Sequence, residues 1–220
     1  MARAWPITLR VGGLTIALAY LSGLLLGILA AVKNNTWLDG AATFVATLGL
    51  TVPNFVIGFL LVAILSVKLG WLPTGGCCEP QQFLMPVFAF ALAPMANVAR
   101  YTRASMLEVI RADYVTMARA RGVPERRLML RYVLRTALIP LITILGPDIP
   151  NILTGSIFIE ATFALPGLGS YFTSAILQRD YPMIMANVLM VSLLWGTLYI
   201  LSDVAYTLVD PRVRLEGLSE

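Results

Sequence analysis

Histidine is absent from the 220-residue sequence. Its absence removes imidazole zinc sites, Ser-His-Asp triads and histidine general bases at once. Cysteine is nearly absent. Cys77 and Cys78 stand alone and adjacent, too few for a cysteine-rich metal site, and a bond between neighbours would close a strained ring. Neither a disulfide nor a metal is expected there. Charge is scarce too, since only 13% of the residues are Asp, Glu, Lys or Arg, against about a quarter in a soluble domain. The lysines are Lys33 and Lys68, and neither closes a G-x-x-x-x-G-K-[ST] run. The chain therefore has no loop to cradle nucleotide phosphates. No catalytic residue, cofactor or metal is expected on this chain, and any ATP and magnesium would be held by another polypeptide.

What is present in excess is hydrocarbon. Hydrophobic residues make up 58% of the chain and the mean hydropathy is +0.80. One soluble core cannot hide that much apolar surface, so the solvent is lipid. A cytosolic enzyme, a secreted disulfide scaffold and a disordered tail are excluded. A net charge of +4 and a pI near 9.3 would suggest nucleic acid in a soluble protein. In a membrane chain they read as Arg and Lys held on the cytoplasmic side, and no nucleic-acid partner is expected.

The charges punctuate the chain. Uncharged windows cover 11–32, 40–67, 80–99 and 181–202, and 136–159 is apolar apart from Asp148. A membrane helix needs about 20 apolar residues. These windows predict an all-α, polytopic membrane helix bundle with about five spans, near 10–32, 46–69, 83–105, 134–159 and 183–207. Pro53 interrupts the second, overlong window, which predicts a short segment before it that lies at the interface or kinks into the span. The first window exceeds the apolar stretch of a signal peptide and has no clean small-residue cleavage site after it. The window 161–178 holds Pro166, Gly167 and Gly169 and reads as a surface or re-entrant loop.

Residues 100–135 carry nine Arg against three acids, net +6. Basic loops stay inside, so this loop is expected in the cytoplasm. Alternation places 33–39 and the C-terminal 208–220 inside, and 70–82 and 160–182 outside. It also leaves the N-terminus outside with no preceding helix to deliver it. That conflict leads to the expectation that an N-terminal span is missing.

The stretch 108–140 within and beyond that basic segment reads EVIRADYVTMARARGVPERRLMLRYVLRTALIP. Asp113 is a candidate N-cap. Tyr114, Met117, Ala118 and Arg121 follow at i, i+3, i+4 and i+7, one helical face. Gly122 suits the stop, and Pro124 suits the first turn of a new helix. A basic loop meeting anionic lipid explains the Arg count. A capped helix with a Gly stop and a Pro restart is better explained as a helix presented to the groove of a partner.

That segment resembles the EAA loop of ABC-importer permeases. Thr116, Met117 and Ala118 stand at the triplet, Gly122 at its glycine, and Tyr132 to Arg135 at the later I-x-L-P. Only Ala118, Gly122 and Leu134 keep the general letters. The variant D-Y-V-x-x-A-R-A-[KR]-G-x-x-x-R-R, followed by L-R-x-A-L-I-P, resembles the peptide/nickel branch more closely. It covers Asp113, Tyr114, Val115, Ala118, Arg119, Ala120, Arg121, Gly122, Arg126, Arg127 and 134–140. Further stretches fit the same branch: Leu50 to Phe55, Leu69 to Pro73, Arg100 with Arg103 to Val109, and Asp210 to Arg214. So do Asp180-Tyr181-Pro182 and an external E-x-x-F-x-x-P-G-L-G element at Glu160 to Gly169. The P-G-L-G form is that of the first of the branch's two permeases.

The resemblance implies one transmembrane domain over 1–220, starting where the family's second helix would start. It implies a coupling loop at 108–135 with ATPase contacts at Asp113, Tyr114, Val115, Met117, Ala118, Arg119, Ala120, Arg121 and Gly122. It also implies the partners: a second homologous permease, two cytoplasmic ABC ATPases, an extracytoplasmic solute-binding protein and the bilayer of the cell membrane. Its substrate would be a di- or oligopeptide, with a nickel chelate second.

Asp148 is the acid within an otherwise apolar span, flanked by Pro147 and Pro150. Such a charge costs about 2.5–3.5 kcal/mol on insertion scales, so it faces a cavity or a partner. Two readings fit. It caps backbone freed by the prolines or pairs at a subunit interface, or it lines a translocation path with Asn151 and Thr154. The second reading also admits a stand-alone secondary transporter that uses Asp148 as its coupling acid. An intramembrane protease would need a His or a paired-Asp motif that the sequence lacks.

Overall fold

The structure is a computed structural model that describes residues 4–77, 79–145 and 148–209. Among the described residues the regular elements are all helical. The first helix, α1 (Trp5–Val32), is 28 residues long, with Pro6 in its first turn. At about 1.5 Å per residue it spans roughly 42 Å, enough to cross a bilayer. It packs most extensively on α4 (Pro80–Ile110). Gly23 and Gly27 make that contact close. A Cβ on Gly27 would stand 2.6 Å from the Ala99 carbonyl oxygen, and one on Gly23 2.6 Å from that of Met95. Small residues at such crossings let backbones approach.

The second predicted span is broken. Helix α2 (Trp37–Thr51) stops at Val52, and α3 (Asn54–Leu61) runs on through a π-helical stretch, Val62–Lys68, at 103° to it. The cause is Pro53. It drives the residue before it out of the helical region, and Val52 sits at φ −86°, ψ 123°. The segment before Pro53 is thus a 15-residue helix rather than the short one expected.

Helix α4 begins with a capping box. The Gln82 side chain accepts from the Glu79 backbone N–H at 3.2 Å, and the Glu79 side chain accepts in return from the Gln82 N–H. Such a cap contributes about 1 kcal/mol. After α4 come α5 (Asp113–Ala120), a one-turn α6 (Glu125–Arg127), a π-helical stretch (Leu128–Val133) and α7 (Leu134–Leu145). Next are α8 (Asp148–Leu153), α9 (Ile157–Thr162), α10 (Leu168–Gln178) and α11 (Tyr181–Val209). Asp180 starts α11 by accepting from Met183 N–H at 3.1 Å.

Among the described residues, α1, α4 and Tyr181–Ser202 of α11 are long and apolar enough to cross a membrane, and the bent pair α2–α3 makes a fourth candidate. Of the fourth predicted span, 134–159, the structure describes α7 and α8, with 146–147 outside the described residues, and the chain turns at Gly155, at φ +83°, before α9. The predicted loop 161–178 contains a helix, α10. Cys78, Pro147 and the predicted C-terminal motif at 210–214 lie outside the described residues.

Apolar packing concentrates at the two ends of the bundle. At the basic end, Ala31, Met106, Val115, Ala118, Leu128, Val133 and Ala137 form a buried cluster. At the far end, Val11, Met85, Val87, Ala89, Ile159, Phe163 and Leu165 form another. An ion pair braces the basic end. Asp39, at the start of α2, accepts from Arg103 Nε at 2.6 Å and from Arg103 Nη2 at 2.8 Å. Asn34 and the Asn35 N–H complete the cluster.

Candidate functional site

Helix α5 lies across the ends of the long helices at the basic pole. Its inward face is Val115 and Ala118, both buried in the basic-end cluster. The opposite face is open, with Tyr114 40% and Met117 57% exposed. The face expected from spacing therefore splits. Ala118 turns inward, while Tyr114, Met117 and Arg121 stay outside. Asp113 is the first residue of the helix, and Ala112 takes the cap position. An acid in the first turn is still favoured there by the helix dipole.

The C-terminal stop is built on Gly122, which sits at φ +80°. Gly122 N–H donates to the Arg119 carbonyl at 3.0 Å, and Val123 N–H donates to that of Ala118 at 3.2 Å. This is the Schellman arrangement, with its reversal at a left-handed residue. Val123 then packs on the basic-end cluster. Pro124 precedes α6 as its cap rather than entering its first turn. Across the reversal, Arg119 reaches Glu125 with Nη2 at 2.7 Å from Oε1. The hydrogen-bonded guanidinium holds the Glu125 carboxyl below its ordinary value. Both side chains are exposed, so this pair orients the turn more than it stabilises it.

Asp148, Asn151 and Thr154 are placed on and just after α8, which packs between α1 and α11. Asp148 and Asn151 stand three positions apart on α8. Asp148 opens the helix, half-buried. Asn151 accepts from Trp195 Nε1 of α11 at 2.8 Å. Thr154 donates to the Asn151 carbonyl at 3.0 Å and lines a cavity of about 220 Å³ with Asn187 and Ser192.

The Glu160 element forms a structured cap at the far pole. Phe163 and Leu165 are buried in the far-end cluster, and the Phe163 carbonyl accepts from Gly76 N–H at 2.9 Å. Two partners here, and the ion pair at the basic end, had no local signal in the sequence. Thr8 and Asn187 bond to this element from helices far away in the chain, and Asp39 pairs with Arg103 across 64 positions.

The family model for "Binding-protein-dependent transport system inner membrane component" matches residues 23–215. The dipeptide transport system permease protein DppB of Bacillus subtilis (strain 168) is 41% identical over 215 residues, covering 98% of this chain and 70% of that protein. The oligopeptide transport system permease protein OppB of Escherichia coli (strain K12) is 37% identical over 216 residues, covering 97% and 71%. Among solved structures, the inward-facing MetNI methionine ABC transporter superposes with a TM-score of 0.76 at 18% identity, over 95% of each chain. An amino acid ABC transporter gives 0.70 at 18% identity, over 96% of this chain and 93% of that one. At those identities the structural likeness concerns the fold.

Proposed function

The chain belongs to the family of binding-protein-dependent transport system inner membrane components, transport subunits rather than enzymes, and we propose that it forms half of the translocation path of an ATP-driven peptide importer. The observation that carries the coupling role is α5. Its buried face locks it to the ends of the long helices, and its exposed face offers Tyr114, Met117 and Arg121 to a groove. These 220 residues hold no phosphate loop, and in this reading ATPase subunits on the cytoplasmic face supply the nucleotide chemistry. Closure of two ATPases would push two such helices together, and the long helices would follow as rigid bodies and switch access. A second homologous permease and an extracytoplasmic binding protein complete the assembly. The peptide substrate is supported by the names of the relatives, DppB and OppB.

The docking role is tested at Met117. Met117→Glu leaves the buried face untouched, so the chain inserts and assembles with its partner permease. Co-purification of the ATPases is expected to fall by about tenfold, as for one interface anchor. In the orientation arm, a cysteine at position 117 should react with an impermeant thiol reagent only from the cytoplasmic side. Undiminished ATPase binding by Met117→Glu, or labelling from outside, contradicts the placement.

Asp148 is proposed to line the path for the amine of a peptide. A carboxylate beside prolines suits a passing cationic or zwitterionic solute better than tight ligation of bare metal, for which few soft ligands are present. Asp148→Asn should lower the rate of peptide uptake while leaving assembly intact. Wild-type uptake in that variant returns Asp148 to a structural role.

A further inference from the structure

Glu160 is only 1% exposed. Among the described residues no Lys or Arg forms an ion pair with it. Donors surround it instead. Thr8 Oγ1, from α1, donates to Oε1 at 2.7 Å. Gly169 N–H and Ser170 N–H, from the first turn of α10, donate to Oε2 at 2.6 and 3.3 Å. Thr8 Oγ1 also accepts from Leu168 N–H at 3.0 Å, and Asn187 of α11 donates to the Leu168 carbonyl at 3.0 Å. One carboxylate on α9 thus joins α1 to α10, and α10 is tied to α11 beside it.

The cage is tight as well as polar. A Cβ on Gly167 would lie 2.5 Å from both carboxylate oxygens, one on Gly169 2.9 Å from Oε2, and one on Gly155 3.0 Å from Oε1. Bare backbone at three sides lets the loop close on the acid. Around this cage stand the buried Ile159, Phe163, Leu165 and Leu168. Peeling the element off α1 would leave Glu160 with its Gly169 and Ser170 donors but take the Thr8 donor from Oε1, leaving that buried oxygen unsatisfied, an unfavourable state. Opening at this seam therefore carries a penalty.

We propose that Glu160 is the clasp that fixes the far-pole lid, residues 157–178, to α1, so that lid and helix swing as one body when access switches. Glu160 is in this sense a positioning residue, and the proposal rests on the importer reading above. The clasp is tested on the assembled transporter in nanodiscs. Cys77 and Cys78 are replaced by Ser, and spin labels are placed at Leu14 on α1 and Leu177 on α10, both exposed. The wild type should give one narrow distance, the same in the nucleotide-free and the vanadate-trapped states. Thr8→Val and Glu160→Gln should broaden or split it, and Thr8→Ser should restore it. Stimulation of ATP hydrolysis by a binding protein loaded with alanyl-alanine should fall by at least about tenfold in Thr8→Val, which loses two buried hydrogen bonds, to Glu160 and from Leu168. The double variant should be no worse than the more severe single one, because both remove the same clasp. A wild-type distance that shifts between the two states overturns the clasp, and so do variants that keep the single distance. Absence of stimulation in the wild type would instead count against the importer reading, while the distances still decide the clasp.

Discussion

Gly122→Val is expected to uncouple ATP hydrolysis from transport, lowering transport per ATP by at least about tenfold while the chain still inserts. The position is left-handed, at φ +80°, and that conformation costs an L-residue about 1–2 kcal/mol, most for a β-branched one. Space is not the obstacle, since a Cβ there meets nothing within 4 Å. The damage is therefore purely conformational. Val would abandon the reversal and release the bonds that Gly122 and Val123 donate to Arg119 and Ala118. Helix α5 would lose its fixed angle against the basic-end cluster, although its apolar anchors remain. A substitution series makes this specific. Gly122→Asn should stay near wild type because Asn tolerates the left-handed region, Gly122→Ala should be intermediate, and Gly122→Val worst. Parallel assays of peptide uptake and ATP hydrolysis check it. Equal coupling in all three variants would show that the turn is not the transmission point.

Arg103→Met is expected to destabilise the chain by about 3 kcal/mol, at the low end of the range for breaking a buried pair because Arg103 is partly exposed. Asp39 is 5% exposed and would be left without its fork of two donors. The pair joins the start of α2 to α4, next to the turn that holds Asn34 and Asn35. Losing it frees α2 at the pole where α5 docks. The contrast is the double variant Asp39→Leu with Arg103→Met, which leaves no orphaned charge and should recover most of the loss. Thermal unfolding of the purified complex measures both. A midpoint unchanged in Arg103→Met would mean that Asp39 finds water or another donor.

Long-period features were legible in the sequence. Uncharged runs marked α1, α4 and α11, although α1 and α4 run past the charges Arg10, Arg100 and Arg103. The Gly122 stop was legible because glycine takes a positive φ at no steric cost, and the structure puts it there at φ +80°. The face of α5 was less so. Spacing groups Tyr114, Met117 and Ala118, yet which side of an eight-residue helix turns inward depends on Met106 and Leu128, which approach from other elements. The bend at Pro53 was half legible. A proline predicts a break, but the 103° between α2 and α3 is set by what α3 packs on, namely α4 and α9. The fourth span read as continuous to residue 159 because hydropathy ignores backbone breaks such as the one at Gly155, at φ +83° between α8 and α9. Least legible were the polar knots. Thr8 meets Glu160 across 152 positions, and nothing in the neighbourhood of either residue signals the other.

One reconstitution separates the proposed importer from a carrier that works alone. The chain, its partner permease and the two ATPases are placed in liposomes with a loaded binding protein outside, and a radiolabelled dipeptide is followed inward. Accumulation should require internal ATP, the ATPases and the binding protein together, should persist when proton and sodium gradients are collapsed, and should fall by at least about tenfold per ATP with Gly122→Val in the coupling turn. Accumulation by this chain alone, driven by an ion gradient without ATP, would contradict the importer mechanism and make Asp148 the coupling acid of a secondary transporter.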